Sequence, residues 1–188
     1  MPQHRTTVEP HLAWPVVDYV KRRHLPEPLV YFDAGFNPRD PQFEVCTIRQ
    51  RRRIPLTYEE RNMAVATENI VITNATLNRW PIDMEPIPGS RRIRVIDVFR
   101  AIYDTYAAPL SREDLSTIGP EYIQRCEPGF LQRCKDSNEP THYLEYAGMR
   151  RIDLLRGRRI FKGLAYTGVV YDRGSHKHAF ELQFDRGN

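Results

Sequence analysis

The chain has 188 residues, enough for one domain with a full core or for one domain plus an extended arm. Hydrophobic residues make up 40% and charged residues 28%, an ordinary globular balance, and a formal net charge of +4 is too small by itself to imply a polyanionic partner. Apolar runs of only a few residues exclude a membrane-spanning helix, and residues 1–19 show no apolar stretch followed by a small-residue cleavage site, so no signal peptide is expected.

Residues 1–42 carry Pro2, Pro10, Pro15, Pro26, Pro28, Pro38 and Pro41. They read as an extended arm packed on a single domain at 43–188, with a short apolar helix or turn at Val16–Val20 and a brief strand at Leu29–Phe32. Leu12, Trp14, Tyr31 and Phe36 are the arm's expected anchors, since large apolar groups are costly to leave in water. Phe43–Ile48 reads as a strand and runs into Arg49-Gln50-Arg51-Arg52-Arg53, the densest charge patch in the sequence. Ala64–Ala66 and Ile70–Ile72 are strand-like, the second a β-branched triplet expected to be covered on both faces. Trp80, Ile82 and Met84 alternate with polar residues and with Pro81, as in a half-buried edge strand, and Pro88-Gly89-Ser90 turns the chain again.

Ile93 and Val95 then alternate with Arg92 and Arg94, the two-residue period of a strand. At Asp97 the period changes: Phe99, Ile102, Tyr103 and Tyr106 fall on one stripe of an amphipathic helix, which Asp97 starts and Pro109 stops. Ser111 caps a further helix ending at Gly119-Pro120. Pro120 opens another, and Pro128-Gly129 is expected to interrupt it. Ile160-Phe161 and Leu164–Tyr171 read as strand, Asp172–Ser175 as a turn, and Phe180, Leu182 and Phe184 as the inward face of a closing strand. Trp80, Ile82, Val95, Phe99, Ile102, Tyr103, Phe161, Phe180 and Leu182 are the expected core. The fold class is α+β, a single domain with a mostly antiparallel sheet, a central helix in a β-grasp-like order and additional short helices.

These pieces carry a resemblance. Ile93-Arg94-Val95-Ile96-Asp97-Val98-Phe99-Arg100-Ala101-Ile102-Tyr103, Arg133-Cys134, Gly148-Met149-Arg150-Arg151-Ile152-Asp153-Leu154-Leu155 and Phe161-Lys162-Gly163-Leu164 occur in the order of a domain-of-unknown-function family of mushroom-forming (basidiomycete) fungi, which the sequence resembles over most of its length. The resemblance implies a small intracellular α+β domain and no established activity, so no catalytic residue is carried over. Asp153 among Arg150, Arg151 and Arg156 reads as a local ion-pair network of little energetic weight if exposed.

Arginine outnumbers lysine 24 to 4. Genome bias accounts for this most simply, since the arginines are spread along the chain and Glu59, Glu60, Asp97 and Asp153 are available as partners. Cys46, Cys126 and Cys134 are odd in number, which fits free thiols in a reducing compartment, cytoplasmic or nuclear.

The first functional reading is a non-enzymatic module that binds another macromolecule, a protein, through a sheet edge or an arginine-rich face. The second is anion or nucleic-acid binding through Arg49, Arg51, Arg52 and Arg53, weakened because no aromatic interleaves the run. The third is a cysteine-dependent enzyme using Cys134 or Cys126 with His142, which no local signature supports. His176 and His178 share a strand face and could hold a metal with Asp172 or His142, but an exposed hairpin tip explains them more simply, so no metal and no cofactor are assigned. Membrane contact is not expected, and oligomeric state is not legible.

Overall fold

Among the described residues, three sheets and five α-helices form around the stretch where strand periodicity turns into helix periodicity. The computed structural model describes residues 12–13, 15–17, 29–172 and 175–186. Strand β1 (Leu29–Tyr31), β2 (Cys46–Arg49) and β3 (Arg52–Pro55) make an antiparallel sheet in that order. Helix α1 (Tyr58–Asn62) follows, opened by a capping box in which Thr57 Oγ1 accepts the Glu60 N–H and the Glu60 carboxylate accepts the Thr57 N–H. β4 (Ala64–Ala66) pairs antiparallel with β7 (Ile93–Arg94). The largest sheet has the order β6-β5-β9-β8, from β5 (Ile70–Thr73), β6 (Ile82–Met84), β8 (Arg158–Asp172) and β9 (Ser175–Arg186).

The architecture is α+β in one domain, as expected, but its largest sheet is mixed. β5 and β9 lie parallel at its centre, flanked by two antiparallel pairings. A β-grasp is not confirmed. The strand that enters the central helix, β7, pairs with β4 instead of forming a hairpin with β6. β5 is also not covered on both faces: Ile70 and Ile72 are buried while Val71 and Thr73 are half-buried.

Helix α2 (Val95–Tyr106) begins two residues before Asp97. Asp97 is its third helical residue, and its carboxylate accepts both the Arg94 N–H (3.2 Å) and the Arg94 guanidinium (2.7 Å), so the acid secures the helix start from inside it. Val95, Val98, Phe99, Ile102 and Tyr106 are fully withdrawn from water. Phe99 sits edge-on to Phe32 (5.0 Å) and Phe161 (5.1 Å), joining the helix to the β1 end and to β8. Ile82, Phe180 and Leu182 are buried in the same core, against which Trp80 and Tyr103 pack half-buried. From the N-terminal 42 residues, Leu12 and Val16 are buried and the Leu164 N–H donates to the Val16 carbonyl (2.9 Å). Trp14 and residues 18–20 of the expected turn lie outside the described residues, as do residues 173 and 174 of the hairpin tip.

After α3 (Arg112–Ile118), helix α4 runs unbroken from Pro120 to Asp136, so Pro128-Gly129 does not interrupt it. Tertiary contact compensates for the donor that Pro128 lacks. At Gly129 the helix lies against the backbone of Arg156 and Gly157 so closely that a Cβ would stand 2.7 Å from the Gly157 nitrogen. The same contact carries the main correction to the sequence reading. Asp153, in the 3-10 helix Arg151–Leu155, is buried and its partner is Arg133 of α4. Helix α5 (Thr141–Ala147) packs Leu144 on Phe130 and Cys134 and leaves Tyr143 and Tyr146 exposed. No helix among the described residues is long and apolar enough to cross a membrane.

Candidate functional site

The arginine run is not a loop. Arg49 ends β2, Gln50 and Arg51 form a two-residue turn, and Arg52 and Arg53 begin β3. Both turn residues have positive φ, +50° and +63°, the conformation that a tight hairpin of right-handed twist requires and that non-glycine residues resist. Arg49 and Arg52 are cross-strand partners, as are Ile48 and Arg53. Because neighbours on a strand point to opposite faces, Arg52 shares a face with Arg49 while Arg53 projects from the other. The four cations therefore do not converge. Arg49 is paired with Glu60 (3.0 Å), which also relieves its repulsion from Arg52. Arg53 lies 3.4 Å above the Tyr31 ring. Arg51, Arg52 and Arg53 have no carboxylate partner among the described residues.

On the Arg53 face a cleft of about 530 Å³ opens between the small sheet, α4 and the start of β8. Tyr31, Cys46 and Arg53 come from the sheet, Gln132 and Asp136 from α4, and Arg159 from β8. Phe36 and Phe43 form an aromatic wall, stacked at 4.2 Å, with the Arg159 guanidinium 5.1 Å from the Phe36 ring. Asp33 is fixed beneath it. One carboxylate oxygen accepts the Gly35 N–H (2.9 Å), and both accept the Arg159 Nε–H at 2.9 Å. Arg159 also donates to Asp136. A Cβ on Gly35 would stand 3.0 Å from the Arg159 side chain, so glycine there gives the guanidinium stem room to lie against the backbone.

Burial raises the Asp33 carboxyl above the ordinary carboxylate value, with Arg159 pulling the other way and Asp136 adding repulsion. The Tyr31 phenol is raised by burial first and by the Asp33 charge second. At the Cys46 thiol, burial and then the Glu44 charge push upward. Arg159 is held charged by its two carboxylates against the desolvation that opposes it. The site is an aromatic-walled recess whose inner charges are mutually satisfied and whose outer cation, Arg53, is available. Such an arrangement suits holding a ligand group better than proton transfer, which needs a titrating group free to exchange.

Cys126 and Cys134 are fully buried, and burial raises both thiols, opposite to the depressed value a nucleophilic thiolate needs. The Cys126 thiol points at the Leu154 carbonyl (3.9 Å), and His142 lies on α5 against the Tyr143 ring (4.4 Å). Among the described residues no hydrogen bond joins His142 to Cys126 or Cys134, although α5 packs Leu144 against Cys134. Nothing in the sequence marks Asp33, Phe36, Asp136 or Arg159 as residues of one site. Asp33 and Arg159 stand 126 positions apart, and no spacing pattern links them.

Residues 30–176, which are 147 of the 188 in the chain, match the model of a Family of unknown function (DUF6699). No curated protein and no solved structure matches. The matched span takes in every wall of the cleft, the buried Arg133–Asp153 pair and helix α2, and the chain belongs to the DUF6699 family of unknown function.

Proposed function

We propose that the protein is a non-catalytic, protein-binding module that captures an acidic, extended segment of a partner along the outer edge of β3. β3 is the last strand of its sheet, its four residues are all exposed, and its second edge is unpaired among the described strands. An unpaired edge presents backbone donors and acceptors to an incoming strand. Arg51, Arg52 and Arg53 lie on or beside that edge without carboxylate partners, so an acidic segment is drawn in, while two copies of this edge repel one another. A carboxylate seated on Arg53 brings the neighbouring side chain of the segment over the cleft, where Phe36 and Phe43 can receive an apolar group. The observation that carries the reading is the placement of Arg53: one unneutralised guanidinium, held by Tyr31 at the mouth of an aromatic recess.

Binding of a nucleic-acid backbone draws on several cations along one surface, and here the run is split between two faces with Arg49 already paired. A cytoplasmic or nuclear setting in a mushroom-forming fungus, suggested by the family resemblance of the sequence and by its three cysteines, is part of the same proposal. The three free thiols agree with a reducing compartment.

Selection of a displayed random-peptide library on the purified protein tests this. Acidic sequences are expected to be enriched, and Arg53→Gln is expected to weaken the best of them at least tenfold, about 1.4 kcal/mol, while Arg49→Gln leaves binding unchanged. Enrichment without acidic bias, or equal binding by Arg53→Gln, refutes the reading. Salt-dependent retention of duplex DNA lost in Arg51→Gln/Arg52→Gln would put nucleic-acid binding in its place.

A further inference from the structure

A second cluster shares no residue with the Arg53 cleft. The parallel register of β5 on β9 sets Ile70 opposite His178, and the His178 N–H donates to the Asn69 carbonyl (3.0 Å). Carried two residues back, the same register brings Glu68 level with His176. Since alternate residues of a strand share a face, His176 and His178 project together toward Glu68, while Lys177 between them faces away and pairs with Asp83 (2.8 Å). The Glu68 Oε2 atom lies 2.7 Å from His178 Nε2 and 3.8 Å from His176 Nε2, and one ligand atom from each of the three residues falls within 4.8 Å of the others.

We propose that Glu68, His176 and His178 form a mononuclear site for a divalent transition ion, Zn²⁺ foremost, with three protein ligands and one position left for water. Two imidazoles and a carboxylate are a donor set that suits zinc and its neighbours better than calcium or magnesium. Tetrahedral bonds of about 2.0–2.2 Å put ligand atoms about 3.3 Å apart, and the separations here bracket that value. The anchoring is graded. His178 is held with 11% of its side chain exposed, whereas His176 (61%) and Glu68 (59%) are exposed and can swing by the half ångström or more that closing on one ion requires. Glu68 and His178 also border a cavity of about 380 Å³ lined by Leu12, Ala66, Ile70 and Phe180, so a ligand in the fourth position would sit beside an apolar wall.

Tag-free protein stripped with chelator and titrated with Zn²⁺ by calorimetry tests the site, with Co²⁺ absorption as a second readout. One equivalent is expected to bind, and Co²⁺ is expected to give the intense visible band of a low-symmetry, four- or five-coordinate centre. His176→Ala and Glu68→Gln, both at exposed positions, should each weaken Zn²⁺ at least tenfold with far-UV circular dichroism unchanged. The combined His4→Ala, His11→Ala, His24→Ala and His142→Ala variant, which removes the chain's other imidazoles, should bind as the wild type does. Absence of stoichiometric uptake, or wild-type affinity in either His176→Ala or Glu68→Gln, overturns the proposal.

Discussion

Arg133 and Asp153 have 1% and 2% of their side chains exposed. One Asp153 oxygen accepts from Arg133 Nε (2.7 Å), and the other from the second guanidinium nitrogen (2.8 Å) and from the Arg150 N–H (2.7 Å). Asp153→Ala therefore leaves a buried guanidinium and a helix-initiating N–H without an acceptor. Removing one member of a buried pair costs about 3–5 kcal/mol. At about 2–4 °C per kcal/mol for a chain of this length, the midpoint should fall by about 6–20 °C. Arg133→Met strands the carboxylate instead and should cost a similar amount. The double variant Arg133→Met/Asp153→Leu removes both charges and fills the space, so its loss should be smaller than the sum of the singles by 2 kcal/mol or more, on the order of the desolvation cost avoided. Urea unfolding followed by circular dichroism measures all three, with a constant m-value showing that the unfolded state is unchanged. Additive losses, or singles within about 1 kcal/mol of wild type, the range of exposed pairs, would refute the account of this pair as a desolvated clamp between α4 and the 3-10 helix.

Two further substitutions probe the frame that holds the cleft. Gly129→Ala gains about 1 kcal/mol in helix propensity but drives a methyl into the Arg156–Gly157 backbone, which cannot rotate away, so a net loss of stability is expected; a rise in the urea midpoint would contradict the close packing. Ser111→Ala should cost about 1 kcal/mol at neutral pH, because Ser111 Oγ accepts the Asp114 N–H (3.0 Å) while its N–H and hydroxyl donate to Asp114. Those bonds, the Ser111 N–H first, hold the Asp114 carboxyl below its ordinary value of 3.8. Their stabilisation is thus present above that value and lost as pH falls through the lower folded one, so the difference between variant and wild type should shrink in acid.

What the sequence conveyed was local, and what it withheld was pairing. The change from a two-residue to a 3.6-residue period at Val95–Phe99 locates the central helix because both periods are written in consecutive side chains. The partner of the strand before it is not. β7 pairs with Ala64–Ala66, about thirty residues back, and no feature of Ile93-Arg94 states that preference. Pro128-Gly129 shows the opposite failure. Local propensity says that a helix should break there, yet Gly129 is the residue that lets α4 approach the Arg156–Gly157 turn, and the contact outweighs the missing donor. Arg133-Cys134 and the Asp153 stretch were both recognisable as motifs, but not as the two halves of one ion pair.

The arginine run carries the same lesson into the site. Four cations in five residues look like one patch when read along the chain, and a patch suggests a polyanion. A two-residue turn at Gln50–Arg51 folds the run back on itself, so register decides its direction: Arg49 and Arg52 face one way, Arg53 the other. Charge density was legible, but charge direction depended on a turn whose residues have none of the glycine or asparagine that usually marks it. Glu60 then cancels Arg49, and Tyr31 holds Arg53 at the rim of a recess whose floor comes from Asp33 and Arg159, more than a hundred residues apart. A run that reads as a nonspecific charge signal becomes, once folded, one paired cation, two that lie along the strand edge, and one, Arg53, in a shaped and aromatic setting, which is why the binding proposed here is selective for an acidic segment.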